Sequence, residues 1–200
     1  MIRLAFLRHG VTVWNREGRI QGRTDIPLDE EGRERVGRRV LPDGWRDAVL
    51  HASPLSRAVE TAGLLAAGRP IRTDARLVEM DWGDWEGRRG VDLRADPASG
   101  YRDLEEWGWD FRPPGGESPA DVRGRLGGWL AERAGEGAPA HLVVTHIGVI
   151  RVALALAWGW DFRGPPPLLV KRDRLYAMTL ADDGTLRPAG GPDGERLPCR

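Results

Sequence analysis

Three observations in this chain of 200 residues predict an α/β fold, a three-layer sandwich with a mostly parallel central sheet flanked by helices. Short apolar runs alternate with helix-patterned stretches, and such alternation builds a sheet covered on both faces. Two of those runs, 2–7 and 141–145, lead into a histidine followed at once or after one residue by glycine. A third, 48–53, passes through Ser53 and Pro54 directly into a helical pattern. Ligands of open α/β sheets bind outside the carboxyl ends of strands, so these three exits are where chemistry is expected.

Each element has its own local reason. Apart from Arg3, every residue of 2–7 is apolar, as in a strand buried on both faces. A loop then runs to Leu28, and Asp29 starts a helix. After strand 48–53, Ser53 is placed to cap a helix over 55–67 and Pro54 suits its first turn. A short strand follows at 71–73. Ser118-Pro119-Ala120-Asp121 resembles a capping box with proline at the first helical position, and opens a helix over 118–134. Strand 141–145, helix 149–158 and strand 174–180 complete the core. Asp183-Gly184 reads as a hairpin turn.

One domain is expected over 1–200, with two irregular parts. The stretch at about 82–117 exceeds the roughly 12–15 residues beyond which loops are usually functional, so it is expected to be a lid with one or two short helices. The glycine- and proline-rich end, at about 190–200, is expected to be a loose tail. The string Trp-Gly-Trp-Asp-Phe-Arg occurs at 107–112 and 158–163, but the flanking sequences do not match. It reads as reused helix-stop chemistry, not duplication.

Composition removes several function classes. A hydrophobic content of 40% and a mean hydropathy of -0.45 argue against a membrane protein. No apolar run approaches the roughly 20 residues that span a bilayer. Thirty basic residues balance thirty acidic ones, so there is no global basic footprint for nucleic acid. The first strand begins beside Met1 and leaves no room for a signal peptide, and the single cysteine, Cys199, allows no internal disulfide. A cytoplasmic location is therefore expected. Lys171 is the only lysine, so clusters of arginine carry less weight here than elsewhere. Nine tryptophans against two tyrosines and three phenylalanines are unusual; Trp82, Trp85, Trp107 and Trp109 sit among glycines and charges, where pocket walls are expected.

The strand exits hold reactive groups. An imidazole such as His9 can serve as nucleophile, base or metal ligand. Its neighbour Arg8 offers a fixed fork of donors for a phosphate or carboxylate. Gly10 allows a tight turn and a close approach to a ligand. Arg57 lies one turn into the second helix, near the same sheet edge. His146 precedes a new helix whose free N–H groups suit an anion. Glu79 stands in a non-periodic segment followed by glycines and large aromatics. The histidines are scattered without HxH or HExxH pairing, so neither a metal site nor a cofactor is expected.

Arg8-His9-Gly10 with Trp14-Asn15, Ser53-Pro54-Leu55 with Arg57 and Thr61-Ala62, Glu79 with Gly83, Trp85, Glu86 and Gly87, Gly116-Glu117-Ser118, and Thr145-His146 follow one another over roughly residues 1–155. In that order and spacing the chain resembles the histidine phosphatase superfamily, the group that includes cofactor-dependent phosphoglycerate mutases. The resemblance implies a phosphoglycerate mutase-like fold and metal-independent hydrolysis of phosphomonoesters through a phosphohistidine. It implies His9 as nucleophile and Glu79 as proton donor, with Arg8, Arg57 and His146 on the transferring group. Asn15, Gln21, Gly22 and Ile147 become phosphate or substrate ligands; apart from the resemblance, the irregular segment itself leads to the expectation that Trp82, Trp107 and Trp109 contact the substrate body, with packing of the lid onto the body as the alternative. Ile147 is a departure, because the family commonly has glycine there. Mutases of the family carry an Arg-His-Tyr cluster shortly after the proton donor; this chain has Trp82-Gly83-Asp84-Trp85-Glu86-Gly87, which favours hydrolysis over mutase-type transfer. A non-catalytic phospho-ligand binding protein is the remaining alternative. The expected partner is a small phosphorylated metabolite, not nucleic acid or membrane, and a homodimer is left open.

Overall fold

Register between neighbouring strands is what assembles this protein's chemistry. The computed structural model describes residues 1–191 and 193–200. Strand β1 (Ile2–Arg8) lies inside a sheet with β2 (Val49–Ala52), β3 (Ile71–Thr73), β4 (Ala140–Thr145), β5 (Arg174–Leu180), β6 (Leu186–Pro188) and β7 (Glu195–Arg196). The order is β3-β2-β4-β1-β5-β6, with β7 also on β5. β1, β2, β3 and β4 run parallel, whereas β5 is antiparallel to β1, and β6 and β7 are antiparallel to β5. Arg8 pairs with Thr145 and Ala52 with Val144, so the three predicted exits end level with one another.

Among the described residues six α-helices, α1 (Val13–Arg16), α2 (Glu30–Gly37), α3 (Ser56–Ala66), α4 (Gly90–Ala95), α5 (Pro119–Ala134) and α6 (Ile147–Trp158), accompany the sheet. Side chains of β1 alternate between its two faces. Leu4 and Phe6 join one apolar cluster with Val122, Leu126 and Trp129 of α5 and Val149 and Val152 of α6. Ala5 and Leu7 join another with Ala58, Ala62 and Leu65 of α3. Full burial of a leucine- or phenylalanine-sized side chain stabilises by about 1.5–3 kcal/mol, so a slip of one residue in β1 would be costly.

The helix ends follow their local chemistry. Ser118 Oγ accepts from the Asp121 N–H at 3.2 Å and the Asp121 carboxylate accepts from the Ser118 N–H at 2.7 Å, completing the capping box of α5. Asp29 accepts from the Gly32 N–H at 2.6 Å and caps α2. Helix α1, inside what the sequence reads as a loop, is closed by the same device: Thr12 Oγ1 accepts from the Asn15 N–H and Asn15 Oδ1 from the Thr12 N–H. Ser53 does not cap α3. That helix begins at Ser56 with no side-chain cap, and Ser53 is drawn to His146 instead.

Residues 82–117 contain 3-10 turns at Gly83–Trp85 and Pro97–Ser99 besides α4. Trp85, Leu93, Trp107 and Phe111 of this segment belong to the same apolar cluster as α5 and α6. At the other end, residues 193–200 differ from the loose tail expected of their composition. β7 pairs with β5, the Leu197 N–H donates to Asp173 O at 2.8 Å, and Leu197 is buried. Partners distant in sequence supply that order, and composition does not display them. Among the described residues no helix is long and apolar enough to cross a membrane.

Candidate active site

β1 delivers His9 one residue past its last ladder position, where the His9 N–H donates to Thr145 O at 2.9 Å. The imidazole is 3% exposed, and its Nδ1 lies 2.7 Å from Gly10 O. A carbonyl only accepts, so Nδ1 carries the proton and Nε2 keeps a free lone pair. Burial, then His146 and the guanidiniums of Arg8, Arg57 and Arg172, hold the His9 pKa well below the ordinary histidine value. The ring is therefore neutral at pH 7. Gly10 is fixed in turn: its N–H donates to Thr61 Oγ1 at 2.9 Å, and that hydroxyl donates to Arg57 O at 2.7 Å.

The His146 ring lies 5.1 Å from that of His9, centroid to centroid. Arg57 Nε donates to His146 Nδ1 at 3.2 Å, so Nε2 bears the proton and donates to Ser53 Oγ at 2.8 Å. Its pKa too is held well below the usual value, by burial and by Arg57, Arg125 and Arg8. Arg57 also donates one hydrogen from each Nη to the backbone of the facing loop, at Thr24 O (2.9 Å) and Gly22 O (2.5 Å), which leaves two Nη hydrogens for an anion. The Glu86 carboxylate holds the same loop by accepting from the Gly22 N–H at 3.2 Å and the Thr24 N–H at 2.5 Å.

Arg8 Nε is buried without a protein acceptor. Burial, with Arg172 nearby, lowers the Arg8 pKa to about 9, which leaves it charged at neutral pH. Arg172, from the segment before β5, donates to His9 O at 3.2 Å and to Asn15 Oδ1 at 2.7 Å. The hydrogen-bond partners of Arg57 and Arg172 are neutral, and the carboxylates that act on them, Glu79, Asp25 and Glu86 on Arg57 and Asp29 on Arg172, do so without a direct bond. An anion gains most from cations placed this way.

Glu79 completes the cluster. It is 2% exposed and accepts from the N–H groups of Met80 (2.8 Å) and Gly148 (3.0 Å). Burial raises its pKa, while those bonds and Arg57 and Arg8 pull the other way. Thr145 fixes the approach of this segment by donating from Oγ1 to Leu77 O at 2.7 Å. A Cβ on Gly148 would sit 2.4 Å from Glu79 Oε1, so any larger residue at 148 would displace that carboxylate. Ile147, partly buried, is the first residue of α6.

Asn15 and Gln21 stand together, Gln21 Oε1 accepting from Thr12 Oγ1 at 3.1 Å and from Asn15 Nδ2 at 3.4 Å. Gln21 Nε2 is a second buried donor without a protein acceptor. Gly22 lies so close to Trp82 that an added Cβ would be 3.0 Å from the indole Cδ1. Trp107 belongs to an aromatic cluster with Trp82, Phe111 and Phe162, and its Nε1–H donates to Arg102 O at 3.0 Å. Trp109 packs edge-on against Phe162 under the Arg123 guanidinium. Trp82 is thus the predicted ring that adjoins the site loop. The residue pattern pointed to neither Arg172 nor the roles of Ser53, Thr61 and Glu86 in positioning.

A second histidine pair lies elsewhere on β2 and β4. His51 Nε2 is 3.0 Å from His141 Nδ1, and with Glu136 these groups bring ligand atoms within 4.8 Å of one another. Glu136 already pairs with Arg133 and Arg72, so a cation there would have to displace two guanidiniums.

Fold and site together define an α/β protein with a paired-histidine anion site at the strand ends. The chain belongs to the histidine phosphatase superfamily (branch 1), whose profile matches residues 4–186. It is 36% identical over 136 residues to a probable phosphoglycerate mutase, GpmB, of Salmonella paratyphi B, a match covering 66% of this chain and 62% of that relative's length. A mycobacterial glucosyl-3-phosphoglycerate phosphatase solved with VO3 superposes with a TM-score of 0.78 at 28% identity, covering 98% of this chain and 100% of that one. Bacillus stearothermophilus YhfR gives a TM-score of 0.76 at 32% identity, covering 96% and 98%.

Proposed function

We propose that this protein hydrolyses the phosphomonoester of a small metabolite through a phosphohistidine on His9, without a metal ion. The observation that carries the reading is the His9 tautomer: Nδ1 is tied to Gly10 O, and a free Nε2 lone pair stands among Arg8, Arg57 and Arg172. In the first step His9 Nε2 attacks phosphorus, and the bond to the ester oxygen breaks. Protonated Glu79 gives its proton to that oxygen, and the alcohol leaves. The three guanidiniums hold the charge spread over the phosphoryl oxygens. In the second step water attacks phosphorus, Glu79 takes the water's proton, and inorganic phosphate and neutral His9 return.

Segment 82–117 serves as the wall over the leaving group in this reading. The sequence at Trp82-Gly83-Asp84-Trp85 favours hydrolysis, whereas the name of the Salmonella relative favours mutase-type transfer. A panel of phosphomonoesters assayed after exhaustive chelation tests the proposal. Release of inorganic phosphate at undiminished rate supports it. A strict need for added Mg²⁺ or Zn²⁺ refutes the metal-free mechanism, and isomerisation of 3-phosphoglycerate without phosphate release establishes the mutase reading.

A further inference from the structure

A cavity of about 470 Å³ lies beside the site, between α2, α3 and the segment before β5. Arg8 and Arg172 reach its wall, but His9, Arg57, Glu79 and His146 do not line it. Its floor is apolar, built from Leu7 of β1, Val36 of α2 and Leu65 of α3. Its charged lining brings Arg8, Arg35, Arg39, Lys171 and Arg172 against one carboxylate, Asp173.

These charges are unevenly compensated. Arg39 Nη2 holds Asp173 at 2.9 Å, which takes that carboxylate out of play. Arg35 reaches Glu31 only at 3.7 Å and Lys171 reaches Asp193 only at 3.8 Å, with all four side chains more than half exposed. Such contacts neutralise little. Arg172 bonds only neutral oxygens. Burial, then the like charge of Arg35, lower its pKa to about 10, with Asp29 pulling the other way.

We propose that this cavity is a second binding site, which takes a small organic anion: an oxyanion head on Arg35, Lys171 and Arg172, and an apolar body on Leu7, Val36 and Leu65. The volume falls in the range of small-molecule pockets, about 300–1,000 Å³. Inorganic phosphate alone would leave the apolar floor uncovered. Arg172 is common to both sites, and a head group bound to it competes with the hold on His9 O and Asn15.

The probe is 8-anilinonaphthalene-1-sulfonate, an anionic head on an aromatic body, titrated into the folded protein and followed by fluorescence. The expected result is saturable one-to-one binding that weakens as ionic strength rises. The double variant Arg35→Gln/Lys171→Gln, which changes only exposed side chains, should bind at least tenfold more weakly. Val36→Phe, which fills the floor, should abolish binding while circular dichroism shows a folded chain. The proposal is overturned if wild type gives no saturable binding, if the double variant binds equally well, or if folded Val36→Phe binds the dye as wild type does. None of these results depends on phosphatase turnover, so failure here leaves the hydrolytic reading to its own test.

Discussion

The Gly148 N–H donates to Glu79 Oε1 at 3.0 Å, and a Cβ built on Gly148 would meet that same oxygen at 2.4 Å. The start of α6 thus holds the buried carboxylate by a contact that only glycine permits. The neighbouring position makes no such demand, which explains how Ile147 stands where the family commonly has glycine.

Gly148→Ala should therefore push Glu79 out of place and lower kcat by about 10²-fold, the scale of a misplacement near 1 Å. Ile147→Gly should change kcat only a few-fold. Steady-state kinetics on the two variants, with circular dichroism to confirm folding, distinguishes the positions.

The raised pKa of Glu79 gives the pH profile a direction. Burial keeps the proton on the carboxyl above the ordinary carboxylate range, and His9 stays neutral well below the ordinary histidine range. For an alkyl phosphate, kcat/KM should fall as pH rises through the Glu79 pKa. For a nitrophenyl phosphate, whose leaving group needs no proton, that limb should flatten. Glu79→Gln should likewise cost much kcat/KM on the first substrate and little on the second, because kcat/KM reports the first phosphoryl transfer and not the later hydrolysis, where Glu79 serves both substrates as base. Equal losses on both would remove Glu79 from proton donation.

Ser53 is 0% exposed and accepts the His146 Nε2–H. Ser53→Ala strands that buried donor, a loss of about 1–3 kcal/mol. Thermal unfolding should show a lower Tm, and kcat should drop about tenfold as His146 loses its fixed orientation. An unchanged kcat would mean that Arg57 alone orients the ring.

Trp107 is 8% exposed, packs against Phe111 with ring centroids 5.0 Å apart, and has its N–H satisfied by Arg102 O. Trp107→Ala should destabilise by about 3–5 kcal/mol, as core tryptophans do, and depress all substrates alike. A changed ranking of substrates by kcat/KM at unaltered Tm would instead make this ring a pocket wall.

Acid should unfold the protein partly through its second histidine pair. Burial, then His141 and Arg133, lowers the His51 pKa to about 4, so the unfolded chain binds that proton more readily than the folded one. The stability is fully present above the ordinary histidine pKa and is lost as pH falls toward 4, by up to about 3 kcal/mol at 1.36 kcal/mol per pKa unit. Urea unfolding between pH 7 and pH 4 should show the decline, with a smaller slope in His51→Gln.

What the sequence made legible were the features with local causes. Apolar runs marked β1, β2, β4 and β5 but not the short β6 and β7, and Ser118 with Asp121 marked the start of α5. Ser53 misled because the same Ser-Pro pattern that caps a helix can also end a strand at a site, and the choice depends on His146, 93 residues away. Arg172 was hidden by distance, 163 residues from His9, and by a chain whose basic residues are nearly all arginine. Helix α1 is four residues long, too short for any periodicity. The docking of residues 193–200 comes from β5 and from Arg38, Arg39 and Val40 just past α2, partners that composition does not display.

The central claim is a covalent phosphoryl group on His9. Rapid quenching of the wild-type protein during turnover of a radiolabelled phosphomonoester should yield protein-bound phosphate that is base-stable and acid-labile. Alkaline digestion and mass spectrometry should place it on His9, and His9→Ala should be folded, unlabelled and inactive. Turnover that persists in His9→Ala, or label found on another residue, would contradict the account.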